Sequence, residues 1–280
     1  MDCHAVVSIQ VPDCTRRAPT DVCCVVDISA SMKSKATYEN EAEEVVDGGL
    51  TCLDIVKHAV KCVAHMLRDD DRLALVAYND TASTISPLLP MTCNGREDAI
   101  AALDSLRPAL GTNIWAGVAE GLEALQAPHS NGTIRQKSLL LLTDGRDGHQ
   151  HRAQGGHVAV LRNYKEKHTG FDFQLNTFGF GYNLDSKLLL DLAMEGQGTF
   201  AFIPDALIVG TCFVNCIANV LSTQTQDATL HLTAQGGAQL MDKIVGVPDQ
   251  MVTEASWGRV VNLGPLQFGQ SRDVVVNMHI

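Results

Sequence analysis

The fold is decided by the stretch VCCVVDISAS, residues 22–31. Its first five residues are apolar, and three of these are the β-branched valine, which at this length favours a strand over a helix. An uninterrupted apolar run of this kind is typical of a strand that is buried on both faces, as in a parallel sheet. The stretch therefore predicts a central parallel strand in an α/β sheet.

Three polar side chains follow this strand at alternating positions, namely Asp27, Ser29 and Ser31. In open parallel sheets, ligands bind just beyond the carboxyl ends of the strands. Carboxylate and hydroxyl oxygens are the donors that Mg²⁺, Mn²⁺ and Ca²⁺ prefer. We therefore expect a metal site at this strand end, provided that further oxygens come from other loops.

Two later segments supply such oxygens. A Gly-Thr-Asn sequence precedes a helix-patterned segment, and the leucine run 139–142 leads into Thr-Asp-Gly at residues 143–145. The three loops together resemble the metal-ion-dependent adhesion site (MIDAS) of von Willebrand factor A (VWA) domains, over residues 19–222. The five positions that match this motif are Asp27, Ser29, Ser31, Thr112 and Asp144.

The resemblance implies a fold and a way of binding. The fold is α/β, a doubly wound and mostly parallel, Rossmann-like sheet flanked by helices. The two serines and the threonine would bind the ion, and the two aspartates would support it by charge, often through water. An ion held mainly by neutral hydroxyls stays electrophilic and keeps one octahedral position for an outside oxygen.

The expected function is therefore a metal-dependent protein interaction module. A protein partner would offer an Asp or Glu carboxylate to the vacant position on the ion. Mg²⁺ is the expected ion, with Mn²⁺ or Ca²⁺ as alternatives. A VWA domain with a structural or scaffolding role and no functional metal remains an alternative interpretation.

No enzyme activity is expected, because the motif supplies neither a nucleophile nor a poised general base. Haloacid-dehalogenase-type phosphatases also place an aspartate after a strand beside Mg²⁺, but they need Asp-x-Asp, and Ser29 occupies the second position. Cys24 is unsuited as a nucleophile because it lies within an apolar strand.

The pattern of elements divides the chain into two predicted domains. Strand and helix patterns alternate over residues 19–222, the predicted VWA domain. Residues 226–280 are rich in strand patterns separated by Gly and Pro turns. Together with a strand in residues 1–15, they are expected to form a small β-sandwich. The chain ends on an apolar strand, which suggests a fragment of a longer protein.

A VWA unit beside a short β region also resembles intracellular proteins that carry RING, U-box or Hint modules. These 280 residues contain none of those modules, so ligase activity is not assigned to the chain. The resemblance leaves a further alternative, in which the chain is the substrate-recruiting part of a larger ubiquitin-ligase-like protein.

Charge and composition limit the partners and the compartment. The formal net charge of −11 disfavours nucleic acid and anionic membranes as main partners. The amino terminus lacks a signal-peptide pattern, and no apolar run is long enough to span a membrane. The nine cysteines are odd in number and several lie in apolar patterns, which fits core thiols in a reducing compartment. We therefore expect a cytoplasmic protein.

An acidic insert, residues 33–49, separates the serine motif from the first long helix pattern. It predicts either a solvated acidic loop or a specificity lid beside the metal site. Three histidines at 149, 151 and 157 raise a zinc hypothesis that no spacing such as His-Glu-x-x-His supports. The candidate partner-binding residues in the insert and in the loop after Asp144 are Glu39, Glu41, Glu43, Glu44 and Asp147.

Overall fold

The computed structural model describes residues 2–13, 17–39, 45–127, 134–145, 155–181, 184–203 and 209–280. The chain forms two compact units. One unit, here called the α/β unit, comprises Ala18–Leu221. The other, here called the β unit, combines Met1–Arg17 with Ser222–Ile280.

The strands and helices alternate along the α/β unit and give way to strands in the β unit. The strands are β1 (Asp2–Gln10), β2 (Thr20–Asp27), β3 (Lys35–Glu39), β4 (Val45–Thr51), β5 (Arg72–Tyr78), β6 (Ala82–Pro90), β7 (Gln136–Thr143), β8 (Gln174–Phe180), β9 (Gln197–Ile203), β10 (Thr223–Leu232), β11 (Gln239–Val245), β12 (Val252–Ala255), β13 (Gly258–Gln267) and β14 (Ser271–His279). The α-helices are α1 (Cys52–Met66), α2 (Cys93–Ser105), α3 (Ile114–Leu125), α4 (His157–Lys167), α5 (Ser186–Glu195) and α6 (Val209–Ser222). In the part of the chain that the structure describes, no helix combines the length and apolar character needed to cross a membrane.

The α/β unit is built on a six-stranded sheet with the order β6-β5-β2-β7-β8-β9. Strands β5, β2, β7, β8 and β9 run parallel, and β6 pairs antiparallel at the edge. The predicted central strand, β2, lies between β5 and β7, and all eight of its residues are buried.

Alternate residues of β2 contribute to two separate cores. Val22, Cys24 and Val26 pack with residues of α1, α2 and α6. Cys23 and Val25 pack with residues of α3, α4 and α5. Helices therefore cover both faces of the sheet, which confirms the doubly wound α/β fold. Each fully buried valine or leucine contributes about 1.5–3 kcal/mol, so the strand ends that carry the candidate site stand on a rigid scaffold.

The β unit consists of two three-stranded sheets, ordered β1-β14-β11 and β10-β13-β12. Strand β1 pairs antiparallel with β14 from Asp2 opposite His279 to Gln10 opposite Ser271. The expected pairing of the amino-terminal strand with the carboxyl-terminal segment is therefore present. Alternate residues of the two sheets meet in one core, whose fully or nearly fully buried members are Ile244, Val247, Val261, Leu263, Val274 and Val276.

Part of the acidic insert forms strands, where its charge pattern predicted a loop. Strands β3 and β4 pair antiparallel as a hairpin, with Tyr38 opposite Val46 and Glu39 opposite Val45. Threonine, tyrosine and valine in these segments favour a strand, and this preference outweighs the polar character of the insert. Glu41, Glu43 and Glu44 lie outside the described residues, as does the side chain of Glu39, so the predicted partner contacts of all four stay a prediction.

Candidate metal centre

The topology of the sheet brings the two aspartate motifs together. Strands β2 and β7 are parallel neighbours, with Val26 opposite Leu142. Asp27 is the last residue of β2, and Asp144 directly follows the last residue of β7. Because parallel neighbours end at the same edge of a sheet, two carboxylates far apart in the sequence reach one place.

Asp27 fixes the turn that carries the two serines. Its Oδ1 accepts a hydrogen bond from the backbone N–H of Ser29 at 2.7 Å. A short 3₁₀ helix, Ala30–Lys33, follows this turn. The hydroxyl oxygens of Ser29 and Ser31 lie 2.9 Å apart, and the Ser31 hydroxyl donates to Oδ1 of Asp144 at 2.8 Å. The first and third candidate loops therefore meet through side-chain oxygens.

Thr112 comes from the loop between α2 and α3, which is tied to two strand ends. The backbone N–H of Ala109 donates to the carbonyl of Ile28 at 2.6 Å, and that of Asn113 donates to the carbonyl of Asn79 at 2.7 Å. Gly111 has φ +86°, and a Cβ at this residue would overlap the Asp80 carboxylate. The turn before Thr112 therefore requires glycine.

Gly145 is the common neighbour of the three loops. A Cβ added at this residue would lie 3.7 Å from Oγ of Ser31, 3.8 Å from Oδ2 of Asp27 and 3.8 Å from Cγ2 of Thr112. All five predicted site residues are thus brought to one edge of the sheet. Their binding of an ion stays a prediction.

Two further residues hold the buried Asp27 carboxylate, and sequence reasoning missed both. The Thr143 hydroxyl donates to Oδ2 of Asp27 at 2.6 Å, and the Tyr78 hydroxyl donates to the same atom at 3.3 Å. Thr143 precedes Asp144 in its motif, which is a usable sequence signal. Tyr78 ends β5, the other neighbour of β2, and nothing in its local sequence marks it as part of the site.

The two carboxylates form an acidic pair in a nearly dry place. Burial raises the pKa of Asp27, although hydrogen bonds from Thr143, Ser29 and Tyr78 oppose the rise. Burial, and next the charge of Asp27, raise the pKa of Asp144 to about 6, against the hydrogen bond from Ser31. A cation between these groups would favour both charged forms. The oxygen-only donor set and this charge imbalance fit a hard divalent cation.

Of the three histidines behind the zinc hypothesis, the structure describes His157 alone. Within the described ranges, no group of three or more His, Cys, Asp or Glu side chains is arranged to hold a metal ion. His157 is buried at the start of α4. His149, His151 and Asp147 lie outside the described residues, so the zinc hypothesis and the partner-binding role of Asp147 stay untested predictions.

Comparison of the sequence with known proteins agrees with this geometry. Residues 22–146 match the profile of the "von Willebrand factor type A domain" family. An uncharacterized protein of Synechocystis sp. is 26% identical over 98% of this chain and 60% of its own length. The E3 ubiquitin-protein ligase WAV3 of Arabidopsis thaliana is 24% identical over 96% of this chain and 32% of its own length. The chain thus spans less than two thirds of these relatives.

Two solved structures share the fold. A von Willebrand factor type A protein from Catenulispora acidiphila aligns with 100% of this chain and 61% of its own, with a TM-score of 0.74 and 21% identity. Proximal thread matrix protein 1 from the mussel byssus, solved with a zinc-occupied MIDAS motif, aligns with 76% of this chain and 47% of its own, with a TM-score of 0.50 and 17% identity. At these identities the likeness concerns the fold.

Proposed function

Because this chain contains a von Willebrand factor type A domain, we propose that its α/β unit is a metal-dependent protein interaction module. Ser29, Ser31 and Thr112 bind one divalent ion, and Asp27 and Asp144 support it by charge. The partner is a protein that offers an Asp or Glu carboxylate. The role of the site is binding and not catalysis.

One observation carries the proposal, namely the short oxygen chain at the edge of the sheet. The Ser29 and Ser31 hydroxyls lie 2.9 Å apart, and the Ser31 hydroxyl lies 2.8 Å from Asp144. Two hydroxyls and a carboxylate at these separations present several hard oxygens to one point. A bound divalent ion would supply a positive centre there that attracts an external carboxylate.

The surroundings of the oxygens distinguish their roles. Oδ1 and Oδ2 of Asp27 already accept hydrogen bonds from Ser29, Thr143 and Tyr78. Asp27 therefore positions the serine turn and contributes charge. Ser31 is exposed, whereas Ser29 is buried, so a partner approaches from the side of Ser31.

We propose Mg²⁺ as the ion, with Mn²⁺ or Ca²⁺ as alternatives, because every proposed donor is an oxygen. Zinc belongs in the test, since a structure of the mussel protein has zinc in its MIDAS motif. Calorimetric titration of the whole chain with each ion in turn measures stoichiometry and affinity. The expected result is one ion per chain, and metal should also raise the melting temperature.

Serine-to-alanine variants locate the ion. Ser29→Ala and Ser31→Ala each remove one proposed ligand oxygen and should weaken binding by about tenfold or more. Ser271→Ala, at an exposed position of β14 in the β unit, is the matched control and should bind as the wild type does. Unchanged affinity in Ser31→Ala would refute the site, and absence of binding to the wild type would favour the scaffolding alternative.

The cysteines support a cytoplasmic location, which we also propose. Eight cysteines are free in the described part of the chain, and Cys23, Cys24 and Cys216 are buried. Burial raises the pKa of the Cys216 thiol to about 12, which keeps it protonated and unreactive. Survival of the folded protein in strong reductant, with an unchanged melting temperature, is the expected result.

A second candidate role rests on the likeness to WAV3, which extends over 96% of this chain and thus over both units. In this role the chain is the substrate-recruiting part of a larger ubiquitin-ligase-like protein. Affinity capture with Mg²⁺ and with chelator tests it. Metal-dependent capture of a protein that becomes ubiquitylated in its presence would support the role, and metal-independent capture would contradict it.

A further inference from the structure

Two exposed leucines lie close in sequence to loops of the candidate metal centre, and the proposed metal chemistry uses neither. Leu110 is 77% exposed and lies two residues before Thr112. Leu50 is 50% exposed and lies two residues before the start of α1 at Cys52. A single exposed leucine needs no explanation. Here, however, each leucine follows or precedes a segment whose backbone is tied to the loops of the candidate site.

The loop of Leu110 is fixed on both sides of the residue. Backbone hydrogen bonds tie Ala109 to Ile28 at 2.6 Å and Asn113 to Asn79 at 2.7 Å. The positive φ of Gly111 sets the turn between them. Two residues of chain span at most about 7 Å, so Leu110 stays within reach of whatever Thr112 contacts.

Leu50 precedes a segment that hydrogen bonds at the start of α1 tie to the serine loop. The backbone N–H of Thr51 donates to Asp54, and the N–H of Asp54 donates back to the Thr51 hydroxyl, at 2.9 and 3.1 Å. The N–H of Cys52 donates to the carbonyl of Ser34, just beyond the serine motif, at 2.9 Å. The N–H of Ser34 in turn donates to the carbonyl of Ser31 at 2.7 Å, so two successive backbone hydrogen bonds link the start of α1 to the serine motif.

We propose that Leu50 and Leu110 form an apolar rim that selects partner segments in which the coordinating Asp or Glu is flanked by apolar side chains. This inference rests on the proposed function. A contact between one carboxylate and the ion has little sequence specificity, and burial of two leucines adds the discrimination that it lacks. The net charge of −11 favours neutral flanks over further acidic residues.

The occupant of the rim is a segment of a different protein. A second copy of this chain carries the same net charge of −11, and mutual repulsion opposes self-association. A partner segment brings its own carboxylate to the ion and its own apolar side chains to the rim. Both contacts come from residues that are adjacent in the partner's sequence, because Leu110 and Thr112 are only two residues apart.

Two peptides that differ only in their flanks test the rim. Acetyl-Gly-Leu-Asp-Leu-Gly-amide and acetyl-Gly-Ser-Asp-Ser-Gly-amide are titrated into the full chain in saturating Mg²⁺, with binding followed by NMR. The leucine peptide should bind about tenfold more tightly to the wild type, the effect of partly burying apolar side chains. The ratio of the two peptide affinities should fall toward one in Leu110→Ser and in Leu50→Ser. The affinity for Mg²⁺ and for the serine peptide should stay unchanged.

Leu190→Ser is the matched control, because Leu190 is 44% exposed on α5, outside the proposed rim, and its loss should leave the ratio unchanged. Equal binding of the two peptides by the wild type, or an unchanged ratio in both rim variants, would overturn the rim but leave the proposed function standing. If neither peptide binds in Mg²⁺, the proposed carboxylate recognition fails, and the rim fails with it. A wild-type dimer that dissociates in Leu110→Ser would show that a second copy is the occupant, and this would also overturn the proposal.

Discussion

Replacement of Asp144 by asparagine should stabilise the metal-free protein and at the same time remove its stabilisation by metal. Burial and the charge of Asp27 raise the pKa of Asp144 to about 6, whereas an aspartate in an unfolded chain has a pKa of about 3.9. Between these two values the folded protein holds a proton that the unfolded chain has lost. Stability therefore falls as pH rises through this interval, and the penalty is complete above pH 6.

The size of the effect follows from the shift in pKa. Two pKa units correspond to an upper limit of about 3 kcal/mol, at about 1.4 kcal/mol for each unit. Asparagine has no charge to bury, and its side-chain oxygen can still accept the hydrogen bond from the Ser31 hydroxyl. Structural relaxation around Asp144 and screening by nearby solvent make the real stabilisation smaller than this upper limit. We expect Asp144→Asn to be more stable than the wild type by about 1–2 kcal/mol at pH 7.5 in chelator.

Urea unfolding at pH 4.5, 6.0 and 7.5, in EDTA and in Mg²⁺, measures both effects. The stabilisation by Asp144→Asn should shrink toward zero at pH 4.5, where Asp144 is protonated in the wild type. In Mg²⁺ at pH 7.5 the wild type should regain stability and the variant should not. Asp98→Asn, at an exposed position of α2, controls for the change in net charge. A variant that is less stable than the wild type in EDTA at pH 7.5, or a difference that is the same at every pH, would refute the reasoning.

Three further outcomes follow from the structure. Thr143→Val should lower the free energy of unfolding by about 1–3 kcal/mol, and Tyr78→Phe by less, because the threonine donates to Asp27 at 2.6 Å and the tyrosine at 3.3 Å. Urea unfolding in EDTA compares the stabilities of the two variants, and a larger loss in Tyr78→Phe would contradict the geometry. Gly145→Ala should fold normally, because the added methyl group lies at ordinary contact distance from Ser31, Asp27 and Thr112. It should bind Mg²⁺ at least about tenfold more weakly, because the methyl group faces the proposed ion site. An unchanged affinity in calorimetry would show that the ion lies elsewhere. Deletion of residues 1–12 should lower the protection of β14 amides in hydrogen exchange, because it removes β1, one of the two antiparallel neighbours of β14. Equally protected β14 amides would contradict this.

The sequence predicts the position of those site residues that directly follow a strand pattern. Asp27 and Asp144 each end an apolar strand, and the rule for parallel sheets is enough to bring them to one edge. Thr112 is different, because a threonine before a helix carries no such signal, and only the family resemblance identifies it. Its position depends on backbone hydrogen bonds from Ala109 and Asn113 to distant strand ends, which no local pattern records.

Contacts between distant residues account for what the sequence did not reveal. Tyr78 reads as an ordinary end of a buried strand, and only the pairing of β5 with β2 brings its hydroxyl to Asp27. The glutamates of the insert predict a loop, whereas its threonine, tyrosine and valine residues favour the strands that pair as β3 and β4. Charge describes the surface of such a segment better than its backbone conformation.

The two aspartates look alike in the sequence, yet their surroundings make them unequal as tests of the proposed function. Asp27 accepts hydrogen bonds from Ser29, Thr143 and Tyr78, and each buried donor left without a partner costs about 1–3 kcal/mol. Loss of metal binding in Asp27→Ala would therefore be mixed with loss of the fold. The Ser31 hydroxyl, which donates to Asp144, belongs to an exposed residue and can turn to water. Substitution of Asp144 should therefore weaken metal binding while it raises the stability of the metal-free protein. Substitution of Asp27 should lower both, so the two effects can be separated only at Asp144.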